Sequence, residues 1–400
     1  MQTATENLWR FSESVNHIPR SFIREILKVT AQPDVISFAG GLPNPASFPI
    51  EAIKQATIKV LDTDGQNVLQ YAPSEGYLPL RKYIADRYAQ KGMQITPDEI
   101  LITNGSQQGL DLIGKIFIDQ GDQIILERPS YLGAIQAFSA YRPDFSTVNL
   151  VEDGVDTNEL ERALLKSPKL FYAIPNFQNP TGLSYSDHKR KRVADLINNS
   201  RTLLVEDDPY GDIKFTPKEY LPIKKFIGHK GILLGSFSKI ISPGMRMGWI
   251  VADPAIIEKL LVAKQAADLH SNFLSQRIIY QYLTDNSMDN HISCIINLYK
   301  SQKDHMICMM ESHFPEEITY TNPEGGMFIW VTLPSYIPAQ QLLDLAAKER
   351  LVFVPGNVFY LDNRTTNTLR INYSNSNPTE IEKGISIMGN ILNQLIKEST

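Results

Sequence analysis

The 400-residue chain has few cysteines and no long apolar run. Its two cysteines, Cys294 and Cys308, are too few for a disulfide framework or a zinc site, and their helical, Met-rich surroundings predict reduced, buried thiols. No apolar run approaches the roughly 20 residues needed to cross a bilayer. The first ten residues also lack the basic-then-apolar plan of a signal peptide. We therefore expect a cytoplasmic protein without a membrane partner.

An excess of positive charge is missing as well. Lys and Arg number 39 against 44 Asp and Glu, so the net charge is −5, which argues against nonspecific nucleic-acid binding. The seven histidines show no ligand spacing, so no metal site is predicted. What remains is a chain with 42% apolar and 21% charged residues, long enough for two domains and a large core.

Short apolar runs alternate with helical patterns between residues 99 and 252, which predicts an α/β fold with a mostly parallel sheet covered on both faces. The runs are residues 100–103, 123–126, 170–174, 203–206, 232–235 and 249–252. One or two long helices are expected from residue 255 to 311, followed by a smaller α+β domain. The predicted division is an N-terminal segment (1–45) that packs on the small domain, a large domain (46–285) and the small domain (286–400).

One lysine stands out on a Gly/Pro-broken loop between two of these runs. Lys239 lies beside Ser236, Ser238 and Arg246, at the edge of the sheet where α/β enzymes bind their ligands. A lysine amine becomes a nucleophile when burial or a neighbouring cation lowers its pKa. The hydroxyls and the guanidinium suit a phosphate, so the stretch suggests a Schiff-base lysine carrying pyridoxal phosphate (PLP). A surface lysine in a polar loop is the alternative.

A second candidate site is the turn Gly105-Ser106-Gln107, which follows one predicted strand and opens a helix. Free backbone N–H groups and the helix dipole favour an anion there. The turn would then bind a phosphate, although such turns also serve only to cap helices.

Polar residues also follow two further strands. Asn179, in Asn-Pro-Thr-Gly, forms a good turn and can also donate a hydrogen bond to a phenolate oxygen. Asp207 ends a buried run, and a carboxylate there can keep a pyridine ring protonated, with Tyr210 donating to an oxygen of the same ring. An acidic turn or a metal site is the alternative.

Arg370 lies inside an apolar strand, in Leu-Arg-Ile-Asn-Tyr. A buried guanidinium is costly unless it pairs with a carboxylate, and that pairing is bidentate. The partner is either an internal Asp or Glu or the α-carboxylate of a substrate.

Together these stretches resemble the fold-type I PLP-dependent aminotransferases (class I/II), and most of all the subgroup of 2-aminoadipate, kynurenine and multi-substrate aminotransferases. The resemblance covers nearly the whole chain and is specific for the cofactor and the fold, but much less so for the substrate. Its further markers are residues 21–28, 40–45, 70–76 and 325–328.

The resemblance implies how PLP is held. Lys239 would carry the cofactor and move the substrate proton, Asp207 would pair with the pyridine nitrogen, and Tyr131 would stack on the ring. The 3′ oxygen would be held by Asn179 and Tyr210. The phosphate would be bound by Gly105, Ser106, Gln107, Ser236, Ser238 and Arg246.

The resemblance also implies partners and a reaction. Tyr71 would reach the cofactor of a neighbouring subunit, so a homodimer is expected. Arg370, Gly41 and Asn179 would bind the substrate, and Arg24 would meet a distal carboxylate if it is more than an exposed helix charge. The implied reaction moves the amino group of 2-aminoadipate, aromatic or branched-chain amino acids to 2-oxoglutarate. The alternatives are a cysteine-conjugate β-lyase and a non-catalytic ligand sensor.

Overall fold

The computed structural model describes residues 9–19, 34–362 and 365–399. The predicted helix at residues 21–28 and Arg24 therefore lie outside the described residues. The strands in the described part are β1 (Ile36–Ser37), β2 (Ile100–Thr103), β3 (Gln123–Arg128), β4 (Asp144–Val151), β5 (Gly154–Val155), β6 (Leu170–Ala173), β7 (Leu203–Asp207), β8 (Gly231–Ser236), β9 (Gly248–Val251), β10 (Thr319–Tyr320), β11 (Phe328–Thr332), β12 (Leu351–Val352), β13 (Val354–Pro355) and β14 (Thr368–Asn372).

Helices flank these strands. They are α1 (Glu13–Asn16), α2 (Ile50–Val68), α3 (Leu78–Gln90), α4 (Ser106–Phe117), α5 (Leu132–Ser139), α6 (Thr157–Leu164), α7 (Asp187–Asn198), α8 (Lys224–Ile227), α9 (Pro254–Asp268), α10 (Phe273–Asp285), α11 (Met288–His313), α12 (Ala339–Lys348) and α13 (Pro378–Ser399). None of them is long and apolar enough, within the described ranges, to cross a membrane.

The large sheet has eight strands in the order β2-β9-β8-β7-β6-β3-β4-β5. Its central pairs, from β8 to β4, are parallel, whereas β9 runs antiparallel to both neighbours. Successive residues of β3 point to opposite faces: Ile124 and Leu126 join one apolar cluster, and Ile125 joins another. The predicted α/β fold with a sheet covered on both faces is confirmed.

A smaller antiparallel sheet, in the order β10-β11-β14-β13, accounts for the predicted α+β part. Arg370 lies in the middle of β14, opposite Trp330 of β11 on one side and Val354 of β13 on the other. The segment before the large domain also contacts the C-terminal part of the chain, because its strand β1 pairs in parallel with β12. The proposed domain boundaries at residues 45 and 285 remain predictions.

Three sequence-based expectations need correction. Residues 254–313 form three helices rather than one or two, because the side chains of Asn272 and Ser287 cap the starts of α10 and α11. The edge strand β5 and its neighbour β4 were not predicted, since Val148 is the only buried residue of β4. Cys294 and Cys308 are free but exposed, because they lie on the outer face of α11, and the prediction of buried thiols was wrong.

The parallel strands also place the candidate residues. Because β6, β7 and β8 are adjacent and parallel, their carboxyl ends meet at one edge of the sheet. The loops that follow them carry Asn179, Tyr210 and Lys239, and Asp207 ends β7 itself.

Candidate active site

A cavity of about 290 Å³ opens at this edge of the large sheet, between it and the small sheet. Its walls bring together nearly all the residues singled out in the sequence: Gly41, Gly105, Ser106, Gln107, Tyr131, Asn179, Asp207, Tyr210, Ser236, Ser238, Lys239, Arg246 and Arg370. Residues from distant parts of the chain therefore share one site.

The amine of Lys239 lies in the cavity and donates a hydrogen bond to the backbone oxygen of Gly41, with an Nζ–O distance of 2.7 Å. Burial, together with the positive charges of Arg370 and Arg246, lowers the pKa of Lys239 to about 8. No carboxylate among the described residues forms an ion pair with this amine. A substantial fraction of the lysine is therefore neutral, and nucleophilic, near physiological pH.

Asp207 presents its two oxygens to different surroundings. Oδ2 accepts a hydrogen bond from the hydroxyl of Tyr172 at 2.8 Å. Oδ1 is buried and has no hydrogen-bond partner among the described residues. Burial raises the pKa of Asp207 to about 7. A buried oxygen without a partner calls for a hydrogen-bond donor from a bound group.

Arg370 is buried, at 1% exposure, without an ion pair to any described carboxylate. Its two terminal nitrogens donate to Asn179 Oδ1 at 2.8 Å and to the backbone oxygen of Ala39 at 2.6 Å, while its Nε has no partner within the described ranges. The guanidinium lies 4.3 Å from the ring centre of Phe328 and 5.1 Å from that of Phe359. No carboxylate of the described residues fills the role of the internal partner, which favours the second sequence interpretation, an anion from outside the chain.

A separate part of the cavity wall also offers donors to an anion. The first turn of α4 begins after Gly105, which has a φ of +77° that favours glycine. A side chain at this position would come within 2.8 Å of Arg246 Nη2. Arg246 donates to the backbone oxygen of Asn104 at 3.2 Å, and Ser236 Oγ accepts from the backbone N–H of Ser238 at 3.0 Å. Helix N–H groups, hydroxyls and a guanidinium thus converge.

Tyr131 contacts Gln107 in the first turn of α4. Its hydroxyl lies 3.4 Å from Gln107 Oε1, and Gln107 Nε2 donates to the backbone oxygen of Gly133 at 2.8 Å. A Cβ at Gly133 would lie 2.5 Å from the ring of Tyr131. The absence of a side chain at Gly133 lets the Tyr131 ring and the Gln107 amide lie against the start of α5.

Among the predicted site residues that the structure describes, Tyr71 does not line this cavity. The Tyr71 side chain is 78% exposed and meets the ring of His270 edge-on, at 5.8 Å between ring centres. Arg24 lies outside the described residues.

Sequence reasoning missed Tyr172, Phe359 and Gly133. Tyr172 reaches Asp207 because β6 pairs with β7 in a register that sets Tyr172 opposite Val205, two residues before Asp207 on the same face. That register cannot be read from one sequence. For Gly133 there was no signal beyond a glycine early in a helix.

A phosphorylated pyridine aldehyde fits these donors. Asp207 Oδ1 has no partner among the described residues, the α4 turn offers N–H groups to a phosphate, and Lys239 has a partly neutral amine. Fold and cavity together fit the class of α/β enzymes that bind PLP at the carboxyl edge of their sheet.

Comparison with known proteins agrees. The chain belongs to the aminotransferase class I and II family, whose model matches residues 33–387. It is 39% identical over 396 residues to aromatic-amino-acid aminotransferase 1 of Thermococcus litoralis, covering 97% of this chain and 95% of that one.

Solved structures give the same result. The multiple substrate aminotransferase of Thermococcus profundus superposes with a TM-score of 0.91 at 38% identity, covering 97% of this chain and 98% of that one. The α-aminoadipate aminotransferase of Thermus thermophilus, complexed with N-(5'-phosphopyridoxyl)-L-leucine, gives 0.90 at 38% identity, with coverage of 97% and 98%. The protein is therefore a PLP-dependent aminotransferase, and the predicted family, fold and cofactor are confirmed.

Proposed function

We propose that the protein transfers the α-amino group of a broad set of amino acids, of the 2-aminoadipate, aromatic and branched-chain types, to 2-oxoglutarate. The observation that carries this proposal is the position of Lys239 in a cavity that two separate arginines, Arg246 and Arg370, also line. One arginine suits the phosphate of the cofactor and the other the α-carboxylate that all amino-acid substrates share. The names of the relatives, which include aromatic and multiple-substrate enzymes, support the breadth.

Bound PLP supplies an electron sink that stabilises the negative charge left when the substrate Cα loses its proton. Residues around the cavity would bind the substrate, hold the ring and move the proton. Arg370 would bind and orient the α-carboxylate, and Asn179, which accepts from Arg370, would hold both the guanidinium and the 3′ oxygen of the cofactor. Lys239 Nζ would accept the Cα proton. Asp207 would keep the ring nitrogen protonated.

The phosphate would be held at a separate part of the cavity wall. The backbone N–H groups after Gly105 and the side chains of Ser106, Gln107, Ser236, Ser238 and Arg246 would bind it, while Tyr131 covers one face of the ring. These assignments rest on the family resemblance and on the positions of the side chains around the cavity.

Three further parts of the proposal rest on the resemblance. Arg24 would meet the distal carboxylate of acidic substrates. Tyr71 would reach the cofactor of a second subunit, and its 78% exposure leaves the ring available for that contact in a homodimer. The protein would act in the cytoplasm.

The test is an amino-donor panel assayed with 2-oxoglutarate: 2-aminoadipate, glutamate, kynurenine, phenylalanine, leucine and lysine. We expect glutamate to form with both acidic and apolar donors, and Lys239→Ala to abolish turnover. Near-normal turnover in Lys239→Ala would refute the role of the lysine. Pyruvate released from a cysteine conjugate without an oxo acid would instead indicate a β-lyase, and PLP binding without any turnover would indicate a ligand sensor.

A further inference from the structure

We infer that Tyr172 is a positioning residue for the cofactor: its hydroxyl fixes the Asp207 carboxylate so that Oδ1 faces the ring nitrogen, and it favours the ionised form of that carboxylate. This inference rests on the proposed function, in which Asp207 pairs with the ring nitrogen. Tyr172 does not line the cavity, so it would act entirely through Asp207.

The two oxygens of the Asp207 carboxylate have different surroundings. Tyr172 and Asp207 are 0% and 2% exposed, and the hydroxyl donates to Oδ2 at 2.8 Å. This bond leaves Oδ1 as the oxygen without a partner among the described residues, and Asp207 lines the cavity. Because a single bond to one oxygen limits rotation about the terminal side-chain bond, it also decides which oxygen faces the ring.

Both residues sit on rigid elements. Tyr172 lies within β6 and Asp207 at the end of β7, and the two strands pair over four residues. The Tyr172 ring packs edge-on against Phe138 of α5, at 6.0 Å between ring centres. A phenylalanine at position 172 would keep this packing and remove only the hydroxyl.

The electrostatics point the same way. Burial and the nearby charge of Asp208 raise the pKa of Asp207, and the hydrogen bond from Tyr172 is what lowers it. Burial holds the pKa of Tyr172 far above its ordinary value, so the hydroxyl stays a donor. Removing the donor would raise the proton affinity of Asp207 by about ten- to a hundredfold, the usual worth of a hydrogen bond to a charged group. The proton shared with the ring nitrogen would then move toward Asp207, and the ring would become a poorer electron sink.

The chain contains a matched control. Tyr185 is also buried, at 1% exposure, and donates to the buried carboxylate of Glu127 at 2.7 Å. Burial raises the pKa of Glu127 to about 7, as it does that of Asp207. Glu127, however, does not line the cavity. Tyr185→Phe therefore removes the same kind of bond outside the site.

The experiment compares the wild-type holoenzyme with Tyr172→Phe and Tyr185→Phe, each carrying PLP labelled with ¹⁵N at the ring nitrogen. In Tyr172→Phe we expect the ¹⁵N resonance to move toward that of an unprotonated ring. We also expect kcat to fall about ten- to a hundredfold, with KM for the amino acid changed by less than about threefold. Tyr185→Phe should leave the resonance and kcat near the wild-type values. Equal resonances in the two variants would overturn the inference.

A double-mutant cycle tests whether the hydroxyl acts through Asp207. In the Asp207→Asn background, Tyr172→Phe should change the resonance no further, and a full effect there would contradict the inference. The two proposals fail separately. A wild-type protein that binds labelled PLP but transfers no amino group contradicts the proposed function, whereas an active wild type with an unaltered Tyr172→Phe variant contradicts only this inference.

Discussion

The two arginines of the cavity, each proposed to bind an anion, lie in opposite surroundings. Arg370 lies in the middle of β14, is buried, and has both terminal nitrogens engaged and two aromatic rings beside it. Arg246 lies on an exposed loop, with a backbone φ of +53° and hydrogen bonds of 3.2 and 3.4 Å to backbone oxygens. Burial lowers the pKa of Arg370 to about 10, a sign of incomplete compensation for lost solvation.

The difference fits the two ligands. In the proposed function, the phosphate of the cofactor would also accept hydrogen bonds from helix N–H groups and hydroxyls, so Arg246 would be one donor among several. The substrate carboxylate would bind and leave in each turnover, and Arg370 would meet it without a competing carboxylate from the described residues. A buried guanidinium already desolvated and oriented binds an anion at a lower reorganisation cost than an exposed one.

The largest effect should follow from Arg370→Gln. Removing one partner of a buried charge pair costs about 2–5 kcal/mol, so kcat/KM for amino acids should fall by roughly one and a half to three and a half powers of ten. Arg370→Lys should recover part of the loss, because an ammonium keeps the charge but lacks the planar fork. Steady-state kinetics with glutamate and phenylalanine would measure both.

A substrate without an α-carboxylate provides the control for this prediction. With a simple primary amine as donor, Arg370→Gln should match the wild type within a small factor, since there is no carboxylate to bind. An equal loss with the amine would show that Arg370 is structural. Arg192→Gln, which removes a surface arginine paired with Glu161, should leave the kinetics unchanged.

A smaller effect is expected from Arg246→Lys. Lysine tolerates a positive φ no better and no worse than arginine, so the loop should keep its shape. The loss of one charged hydrogen bond in a partly exposed site should weaken PLP binding by about tenfold. Titration of the cofactor-free protein with PLP would measure this. Arg370→Lys serves as the comparison, and PLP binding weakened more in that variant than in Arg246→Lys would reverse the assignment of the two arginines.

The sequence alone identified both arginines but not their surroundings. Both arginines were found because each stands in an unusual context: Arg370 in an apolar strand, and Arg246 beside two serines and a lysine. Their surroundings were not predictable, since Ala39, Asn179 and Phe359 reach Arg370 from distant parts of the chain. Buried central strands were placed well because their apolar runs are continuous, whereas the half-exposed β4 was missed.

The smallest effect concerns the lysine between the two arginines. Both cations lower the pKa of Lys239, and Arg370 does so more than Arg246. This order has a physical reason, because solvent and salt screen the exposed charge of Arg246 more than the buried charge of Arg370. In the cofactor-free protein, Arg370→Gln should therefore raise the pKa of Lys239 further above 8 than Arg246→Gln does.

The direction of the pKa shift of Lys239 also determines how the stability of the folded protein depends on pH. The pKa of Lys239 in the folded protein lies below its ordinary value of 10.5, so protonation opposes folding. This destabilisation is fully present below about pH 8, the pKa in the folded protein. It disappears as the pH rises to the pKa of the unfolded chain, so Lys239 makes the free energy of unfolding increase with pH over this range.

Arg370→Gln should make this increase smaller. Denaturant unfolding of the cofactor-free protein at several pH values would measure it, with the same comparison in a Lys239→Met background to isolate the contribution of Lys239. The pH dependence of Lys239 acylation, followed by mass spectrometry, gives the pKa directly. A larger upward shift in Arg246→Gln than in Arg370→Gln would mean that the exposed arginine, not the buried one, sets the charge felt by the lysine.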